Sequence, residues 1–376
     1  MYIPQKQLEA LEKLVTPNKV VVIYGPRRCG KTTLLDRYLK KSTEPYRLVS
    51  GEDVTVREQL GCQSIPALKN FIGDVRLLAV DEAQKVPEIG LNLKLIVDHV
   101  PGIRVIATGS SAFDLTHQLG EPLTGRKFTI RLFPLAQLEL SAMEAPHETI
   151  ALLATRLRYG AYPEIITADG DERRERLLKE IMNSYLFKDI LEFEGIRHAD
   201  KLTQLVRLLA FQIGHEVSYT ELGAQLGMSK NTIEKYLDLL EKSFVVLHTR
   251  GFSRNLRKEI SKNPRYFFYD VGIRNALINN FNPLALRDDV GMLWENYLFI
   301  ERMKKQEYQG ISANNYFWRT YDQQEIDHVE EREGKLYGYE FTWGEKKKKP
   351  PRAWLATYPN AIYEVVTREN YLDFIT

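Results

Sequence analysis

One run of residues near the N-terminus has the types and spacing needed to bind phosphate. Residues 25–32 (GPRRCGKT) satisfy the pattern G-x-x-x-x-G-K-[ST] in full. Glycine at the first and sixth positions lets successive backbone N–H groups turn inward around phosphate oxygens. The lysine can reach the β- and γ-phosphates of a nucleotide, and the final hydroxyl can ligate Mg²⁺. The run predicts an ATP–Mg²⁺ site with these candidate contacts: Gly25, Pro26, Arg27, Arg28, Cys29, Gly30, Lys31, Thr32 and Thr33.

Two carboxylates at the end of an apolar segment predict the hydrolytic part of the site. Leu77 to Val80 is followed directly by Asp81 and Glu82, about fifty residues after the phosphate loop. Asp81 would hold Mg²⁺ through water, and Glu82 would act as general base on the attacking water. A strand that ends in Asp-Glu is commonplace by itself, but its distance from a complete phosphate loop favours the functional interpretation.

Two further side chains are candidates for responding to the γ-phosphate. Ser110 follows a third apolar segment, and the carboxyl ends of strands in open α/β sheets are where ligands bind. An N-cap for a helix beginning near Ala112 is an equally good interpretation of Ser110. Arg126 is the candidate for stabilising charge on the transferred phosphate, at its own site or a neighbour's. For Arg27 and Arg28, surface charge is favoured over lid contacts.

The segments around these residues have the pattern of an α/β sheet domain. Short apolar runs alternate with helical stretches over the first 140 residues, so we expect an α/β domain with a parallel sheet that carries the phosphate loop. The predicted strands are Val20 to Tyr24, Tyr46 to Val49, Arg76 to Val80, Ile103 to Thr108 and Phe128 to Leu132. The predicted helices are Lys31 to Lys41, Ile89 to His99 and Ser111 to Leu119.

Composition excludes several classes of protein. The 376 residues are 44% hydrophobic and 27% charged, values near those of globular proteins, so neither a disordered nor a fibrous chain fits. No stretch approaches the roughly 18 apolar residues of a membrane span, and a signal peptide is not indicated, which predicts a soluble, cytoplasmic protein. Cys29 and Cys62 are too few for a disulfide framework. The net charge of +2 gives no support to a nucleic-acid partner and does not exclude a local basic surface.

Several motifs in linear order resemble the AAA_14/DUF4143 family, bacterial and archaeal AAA-like ATPases with a C-terminal domain of unknown function. The matching segments, which span nearly the whole chain, are Tyr24 to Leu35, Asp81 to Gln84, Thr108 to Ser111, Leu123 to Arg126 with Pro134-Leu135, Gly160 to Glu164 (GAYPE), Tyr185 to Ile190, Lys230 to Leu240 and Tyr269 to Gly272. The resemblance implies ATP binding and hydrolysis.

Residues 218–247 have the sequence pattern of a winged helix. Tyr219 to Leu226 predicts a first helix, Gly227 a turn, and Ser229 the cap of a second helix that reaches Leu240. In a DNA-binding module the second helix would expose Lys230, Asn231, Glu234 and Lys235 to the major groove. A basic wing follows, with Arg250, Arg254, Arg257, Lys258, Lys262 and Arg265. DNA contact is favoured over a purely structural or protein-docking role.

The C-terminal stretch resembles the restriction-endonuclease-like fold that this family often carries. Nucleases of that class use an Asp, then Glu-x-Lys on the next strand, to hold Mg²⁺ and activate water. Asp327 and Glu340 match and form a candidate second metal site, but Thr342 stands where the lysine belongs. The lysines at 346–349 would have to fold back over the strand. A fold kept as a scaffold, without nuclease activity, is therefore favoured.

These observations predict four regions and leave three functions open. We expect a P-loop ATPase domain at 1–140, a helical connector at 141–200, a winged helix at 201–284 and an α/β nuclease-like domain at 285–376. The favoured function is Mg²⁺-dependent ATP hydrolysis that repositions the C-terminal half on DNA. The alternatives are a nucleotide-gated protein-interaction module with slow hydrolysis and an ATP-regulated, metal-dependent DNA nuclease. A homo-oligomer or a partner protein is compatible with each.

Overall fold

The computed structural model describes residues 2–110, 123–184, 199–253, 263–344 and 348–376. They form two compact units, Met1–Leu135 with Lys242–Phe244, and Ala136–Glu241 with Val245–Thr376. No helix among these residues is long and apolar enough to cross a membrane. The predicted helix Ser111 to Leu119 and the motif Tyr185 to Ile190 lie outside the described residues.

The first unit is built on a parallel five-stranded sheet in the order β2-β3-β4-β1-β5. Its strands are β1 (Lys19–Tyr24), β2 (Tyr46–Ser50), β3 (Leu77–Asp81), β4 (Arg104–Gly109) and β5 (Lys127–Arg131). Its helices are α1 (Gln7–Leu14), α2 (Lys31–Lys41), α3 (Val54–Leu60), α4 (Ile65–Ile72) and α5 (Ile89–His99). The order separates β1 from β3 by one strand, β4.

The three central strands β1, β3 and β4 are mostly apolar and buried because both of their faces are covered, whereas the edge strands β2 and β5 are partly exposed. Val20 and Val22 of β1 pack into one hydrophobic cluster, whereas Val21 and Ile23 pack into another. Such continuous burial is the mark of a parallel sheet with helices on both sides. The predicted α/β sheet is confirmed, each of its strands lies within one residue of the predicted bounds, and α2 and α5 have the predicted bounds.

The second unit combines helices with a mixed six-stranded sheet in the order β11-β10-β9-β8-β6-β7. Its helices are α6 (Gln137–Leu140), α7 (Pro146–Tyr159), α8 (Pro163–Ile166), α9 (Asp171–Met182), α10 (Ala199–Phe211), α11 (Tyr219–Leu226), α12 (Lys230–Lys242), α13 (Val271–Leu277), α14 (Val290–Gln309), α15 (Arg352–Thr357) and α16 (Tyr371–Ile375). Its strands are β6 (Val246–Gly251), β7 (Arg265–Phe268), β8 (Asn314–Arg319), β9 (Glu325–Arg332), β10 (Lys335–Phe341) and β11 (Ile362–Val366).

The helix pair of the predicted winged helix is present, but its hairpin belongs to a larger sheet. Gly227 ends α11 in the left-handed region at φ +63°, and the Ser229 hydroxyl accepts a 3.2 Å bond from Thr232 N at the start of α12. β6 pairs with β7 and also, in parallel, with β8. The sheet thus crosses residue 284, and one hydrophobic core crosses both residue 200 and residue 284, so the division at these residues stays a prediction about sequence modules.

Two of the motifs that carried the family resemblance pack against each other in this unit. A Cβ on Gly160, which has φ +73°, would lie 2.0 Å from Asp270 Oδ1. Asp270 Oδ2 accepts a 2.7 Å bond from Ala161 N, and Oδ1 accepts a 2.9 Å bond from Gly272 N at the start of α13. Burial raises the pKa of the Asp270 carboxyl, and these backbone N–H donors oppose that rise. The two motifs therefore have a structural role.

Candidate nucleotide-binding site

The phosphate loop runs from the end of β1 to the start of α2, and both of its glycines are required, Gly25 by close packing against backbone and Gly30 by its backbone angle. A Cβ on Gly25 would lie 2.1 Å from Leu132 O, and one on Gly30 would lie 2.8 Å from Gln5 Nε2. Gly30 also has φ +99° at the N-cap of α2. The N-terminus of α2 therefore opens directly onto the loop, and free N–H groups at such an end favour a phosphate.

Lys31 folds over the loop that it follows. Its Nζ donates to Gly25 O at 3.0 Å and to Pro26 O at 2.8 Å, and the residue is buried. The ammonium group is thus held against the first two residues of the loop by their carbonyl oxygens. A phosphate bound by the loop would meet this charge without a large movement of the side chain.

The predicted metal ligands Thr32 and Asp81 are in contact. Thr32 Oγ1 donates to Asp81 Oδ2 at 3.0 Å, and Thr108 Oγ1 donates to Asp81 Oδ1. β4, which carries Thr108, lies between β1 and β3 in the sheet, and this order brings the two hydroxyls to either side of one carboxylate. Hydroxyl and carboxylate oxygens suit Mg²⁺. The contact of Thr108 with Asp81 was not predicted from the sequence, in which Thr108 appeared only as the end of a predicted strand and the first residue of the motif Thr108 to Ser111.

Glu82 follows β3 with its backbone in the left-handed region, at φ +48°. Its N–H donates to Thr108 Oγ1 at 3.2 Å, so the same hydroxyl fixes both residues of the acidic pair. Gln84 Nε2 donates to Glu82 Oε2 at 2.6 Å and to Ser110 Oγ at 3.2 Å. Gln84 therefore links the candidate base Glu82 to Ser110. In the sequence, Gln84 appeared only as the last residue of the motif Asp81 to Gln84. The alternative N-cap role of Ser110 involves residues outside those described.

The prediction that Arg126 acts on its own phosphate loop is wrong. Val20 N, at the start of β1, donates to Arg126 O, and the Arg126 side chain pairs with Asp98 at the end of α5. The loop begins at Gly25, after the opposite end of β1. Arg126 lies beside Val20, and the loop begins five positions further along the chain at Gly25. At about 3.3 Å per residue, Val20 and Gly25 are roughly 16 Å apart. Action of Arg126 on a neighbouring chain stays a prediction.

The remaining loop residues are arranged as follows. Arg28 is exposed and has φ +60°, whereas Arg27 is half-buried. Cys29 is buried, and its carbonyl accepts a 3.2 Å bond from the buried Gln5 side chain. Thr33 is exposed on the first turn of α2. Gln5 was not predicted from the sequence, since a lone glutamine upstream of a strand carries no pattern.

A second polar centre lies in the C-terminal sheet, where β9 carries Asp327 and β10 carries Glu340. Phe341 N donates to Asp327 Oδ2 at 2.8 Å, and Lys348 Nζ bonds the Glu340 carboxylate. Lys348 of the lysine tract lies against Glu340, so a cation is present although Thr342 occupies the lysine position. Among the described residues, however, no group of three or more His, Cys, Asp or Glu side chains could hold a metal ion. The metal site and the absence of nuclease activity both stay predictions.

We expect the acidity of Glu340 to make stability depend on pH. Burial, with Asp327 adding repulsion, raises the pKa of Glu340 to about 7. A carboxyl with a raised pKa favours the folded state below its ordinary pKa and loses this contribution as pH rises through about 7. The unfolding free energy of Glu340→Gln minus that of wild type should therefore increase by about 2 kcal/mol as pH rises from 5 to 8.5.

The measurement is urea unfolding across that pH range in the presence of a chelator. Glu364→Gln, which removes an exposed carboxyl from the neighbouring β11, is the control and should keep a constant difference from wild type. A Glu340→Gln difference that does not change with pH would show that Glu340 is ionised throughout.

The predicted DNA contacts that the structure describes are exposed, with the exception of Arg265. Lys230, Asn231 and Lys235 lie on the exposed side of α12, and Arg250 is exposed on β6. Arg254, Arg257, Lys258 and Lys262 lie outside the described residues. Arg265 is not available to a phosphate, because it is buried and pairs with Glu325 at 3.0 Å.

Comparison with known proteins confirms the family resemblance. An AAA domain (AAA_14) matches residues 17–141, a domain of unknown function (DUF4143) matches 290–368, and a second one (DUF8612) matches 150–284. Relatives include Uncharacterized protein Rv2008c of Mycobacterium tuberculosis, 28% identical over 85% of this chain and 69% of its own length. Uncharacterized protein MJ1544 of Methanocaldococcus jannaschii is 25% identical over 84% and 73%.

Among solved structures, the Walker-type ATPase PABY2304 of Pyrococcus abyssi is 16% identical with a TM-score of 0.48, covering 73% of this chain and 93% of that chain. The STAND protein PH0952 of Pyrococcus horikoshii, which has a tetratricopeptide repeat sensor, is 16% identical with a TM-score of 0.31, covering 81% and 46%. The fold assignment itself comes from the parallel sheet and the AAA family match.

Proposed function

We propose that this chain, in which an AAA domain precedes a DUF4143 domain, binds ATP with Mg²⁺ and hydrolyses it. One observation carries the proposal: the Thr32 hydroxyl lies 3.0 Å from the Asp81 carboxylate beside a complete phosphate loop. A hydroxyl and a carboxylate at this spacing can act together on one magnesium ion. The hydrolytic role further requires a base near the metal, and Glu82 directly follows Asp81.

Each side chain has a separate task in the proposed reaction. The loop N–H groups and Lys31 bind the phosphates, while Thr32 and Asp81 hold Mg²⁺, which neutralises charge on the β- and γ-phosphates when bound. Glu82 accepts a proton from the attacking water. Ser110 is placed to contact the γ-phosphate or that water. Positioning and electrostatic stabilisation account for most of the catalysis in phosphoryl transfer.

We further propose that the nucleotide state changes the conformation of the C-terminal unit and that this unit acts on DNA. The support is chemical: α12 and β6 expose lysine and arginine side chains that can neutralise phosphates. We propose the DUF4143 sheet as a scaffold in this process, because its carboxylate pair lacks a third described acidic or imidazole ligand. A nucleotide-gated partner protein is the competing function.

DNA should stimulate ATP hydrolysis at low salt and lose its effect as salt rises, because phosphate contacts weaken steeply with ionic strength. The measurement is the steady-state hydrolysis rate with single-stranded and duplex DNA at several salt concentrations. A variant carrying Lys230→Ala and Lys235→Ala should weaken DNA affinity several-fold and reduce the salt slope by about 1 for each lost contact.

Lys69→Ala, which removes an exposed lysine of α4 in the first unit, is the control and should match wild type in this assay. No DNA binding and no stimulation at low salt would overturn the DNA proposal in favour of a protein partner. That result would leave ATP hydrolysis itself untouched.

A further inference from the structure

Gln84 contacts two groups of the candidate hydrolytic site without any assigned role of its own. It lies in a short 3₁₀ turn, Ala83–Lys85, that directly follows the acidic pair. Its Nε2 donates one bond to the Glu82 carboxylate at 2.6 Å and a second to Ser110 Oγ at 3.2 Å. The side chain therefore joins the end of β3 to the end of β4.

The backbone of Glu82 is fixed independently of this contact. Its N–H bonds Thr108 Oγ1, and its carbonyl accepts a 3.0 Å bond from Lys85 N. The carbonyl also lies close to Gly51, where a Cβ would be 2.4 Å away. With the main chain held, the freedom that remains is rotation of the Glu82 side chain, and the bond from Gln84 limits that rotation.

The orientation of the Gln84 amide follows from charge. Only the NH₂ group can face a carboxylate, because the amide oxygen would repel it. This orientation leaves Gln84 Oε1 buried and without a hydrogen-bond partner among the described residues. A buried acceptor without a partner destabilises the fold, so the amide contributes to the site at the expense of local stability.

We propose that Gln84 is a positioning residue that holds one oxygen of Glu82 and thereby directs the other toward the attacking water. This inference rests on the proposed ATPase function. As the water oxygen bonds to the γ-phosphorus, its proton passes to Glu82, the bond to the β–γ bridging oxygen breaks, and ADP leaves. The bond from Gln84 to Ser110 makes the orientation of the Glu82 side chain depend on the position of the end of β4.

Gln84→Met tests the inference, because methionine has a similar volume and no N–H donor. The variant should lower kcat by about 10- to 100-fold, the effect of misplacing a reacting group, and leave the dissociation constant for ATP within about twofold. Its thermal unfolding midpoint should stay close to that of wild type, because removal of the unpaired amide oxygen offsets loss of the bonds to Glu82 and Ser110. Gln84→Ala, carried in parallel, should lower kcat similarly.

A double-mutant cycle separates action through Glu82 from a general structural effect. In single-turnover measurements, Gln84→Met alone should slow ATP hydrolysis relative to wild type. Added to Glu82→Gln, it should cause no further loss of rate. Lys85→Ala, an exposed position in the same turn, is the control and should keep the wild-type kcat. Unchanged kcat in Gln84→Met, or an equal loss in both backgrounds, would overturn the inference. Absence of hydrolysis by wild type would instead refute the proposed function.

Discussion

Replacing Glu82 with Gln is expected to lower the rate of ATP hydrolysis by about 10²- to 10⁴-fold, the usual contribution of a general base. Glutamine keeps the size of the side chain and its ability to hydrogen-bond but cannot accept the proton of the attacking water. Because Thr32, Asp81 and Lys31 are unchanged, the dissociation constant for ATP should stay within about twofold. The loss would therefore appear in kcat and not in binding.

The measurement compares phosphate release and equilibrium nucleotide binding for wild type and Glu82→Gln. Glu58→Gln removes an exposed carboxylate from α3 of the same unit and is the matched control. Wild-type turnover in Glu82→Gln would remove this residue from the mechanism. A parallel loss in both variants would point instead to a general effect of charge.

Replacing Lys31 with Ala is expected to weaken ATP binding on the order of 10²-fold, since a charge-assisted contact to the phosphates is lost. The lysine is buried against the carbonyls of Gly25 and Pro26, so its removal also leaves these oxygens without their donor. The lost phosphate contact affects only the bound state, whereas the unpaired carbonyl oxygens also affect the empty site, so the thermal unfolding midpoint should be measured together with affinity.

Titration with a fluorescent ATP analogue provides the affinity, and Lys40→Ala, an exposed position near the end of α2, is the control. The control should bind as wild type does. A Lys31→Ala protein that binds ATP as tightly as wild type would refute the assignment of the phosphate loop, whatever its rate of hydrolysis.

The sequence predicted the parts of the site that depend on neighbours along the chain. The phosphate loop is a contiguous motif, and the buried strands β1 and β3 appear as apolar runs because both of their faces are covered. α2 could be predicted because a phosphate loop of this type is followed directly by a helix. These features are local, so spacing and composition are sufficient to recognise them.

Arg126 shows where sequence position misled. The predicted strand Phe128 to Leu132 begins just after Arg126, whereas the phosphate loop comes after the end of its strand. In a parallel sheet the start of one strand and the end of another lie at opposite ends of the strands. The pairing of Val20 with Lys127 confirms that Arg126 lies beside the start of β1, away from the phosphate loop. The choice of Arg126 rested on the need for a cation at the transferred phosphate and left this geometry aside.

The contacts of Gln84 and Lys348 depend on how side chains meet in space. Gln84, which follows β3, reaches Ser110 at the end of the neighbouring β4, and Lys348 bonds Glu340 although eight positions separate them in the sequence. Neither follows from periodicity. The net charge of +2 was equally uninformative, because Arg265 is neutralised inside the fold while Lys230, Lys235 and Arg250 are exposed.

Mg²⁺-dependent release of phosphate from ATP by the full chain tests the central claim most directly. The account predicts that wild type releases phosphate in the presence of Mg²⁺, that a chelator stops the release, and that Lys31→Ala reduces it to background. Wild-type release that does not exceed the Lys31→Ala background, with or without Mg²⁺ and DNA, would contradict it.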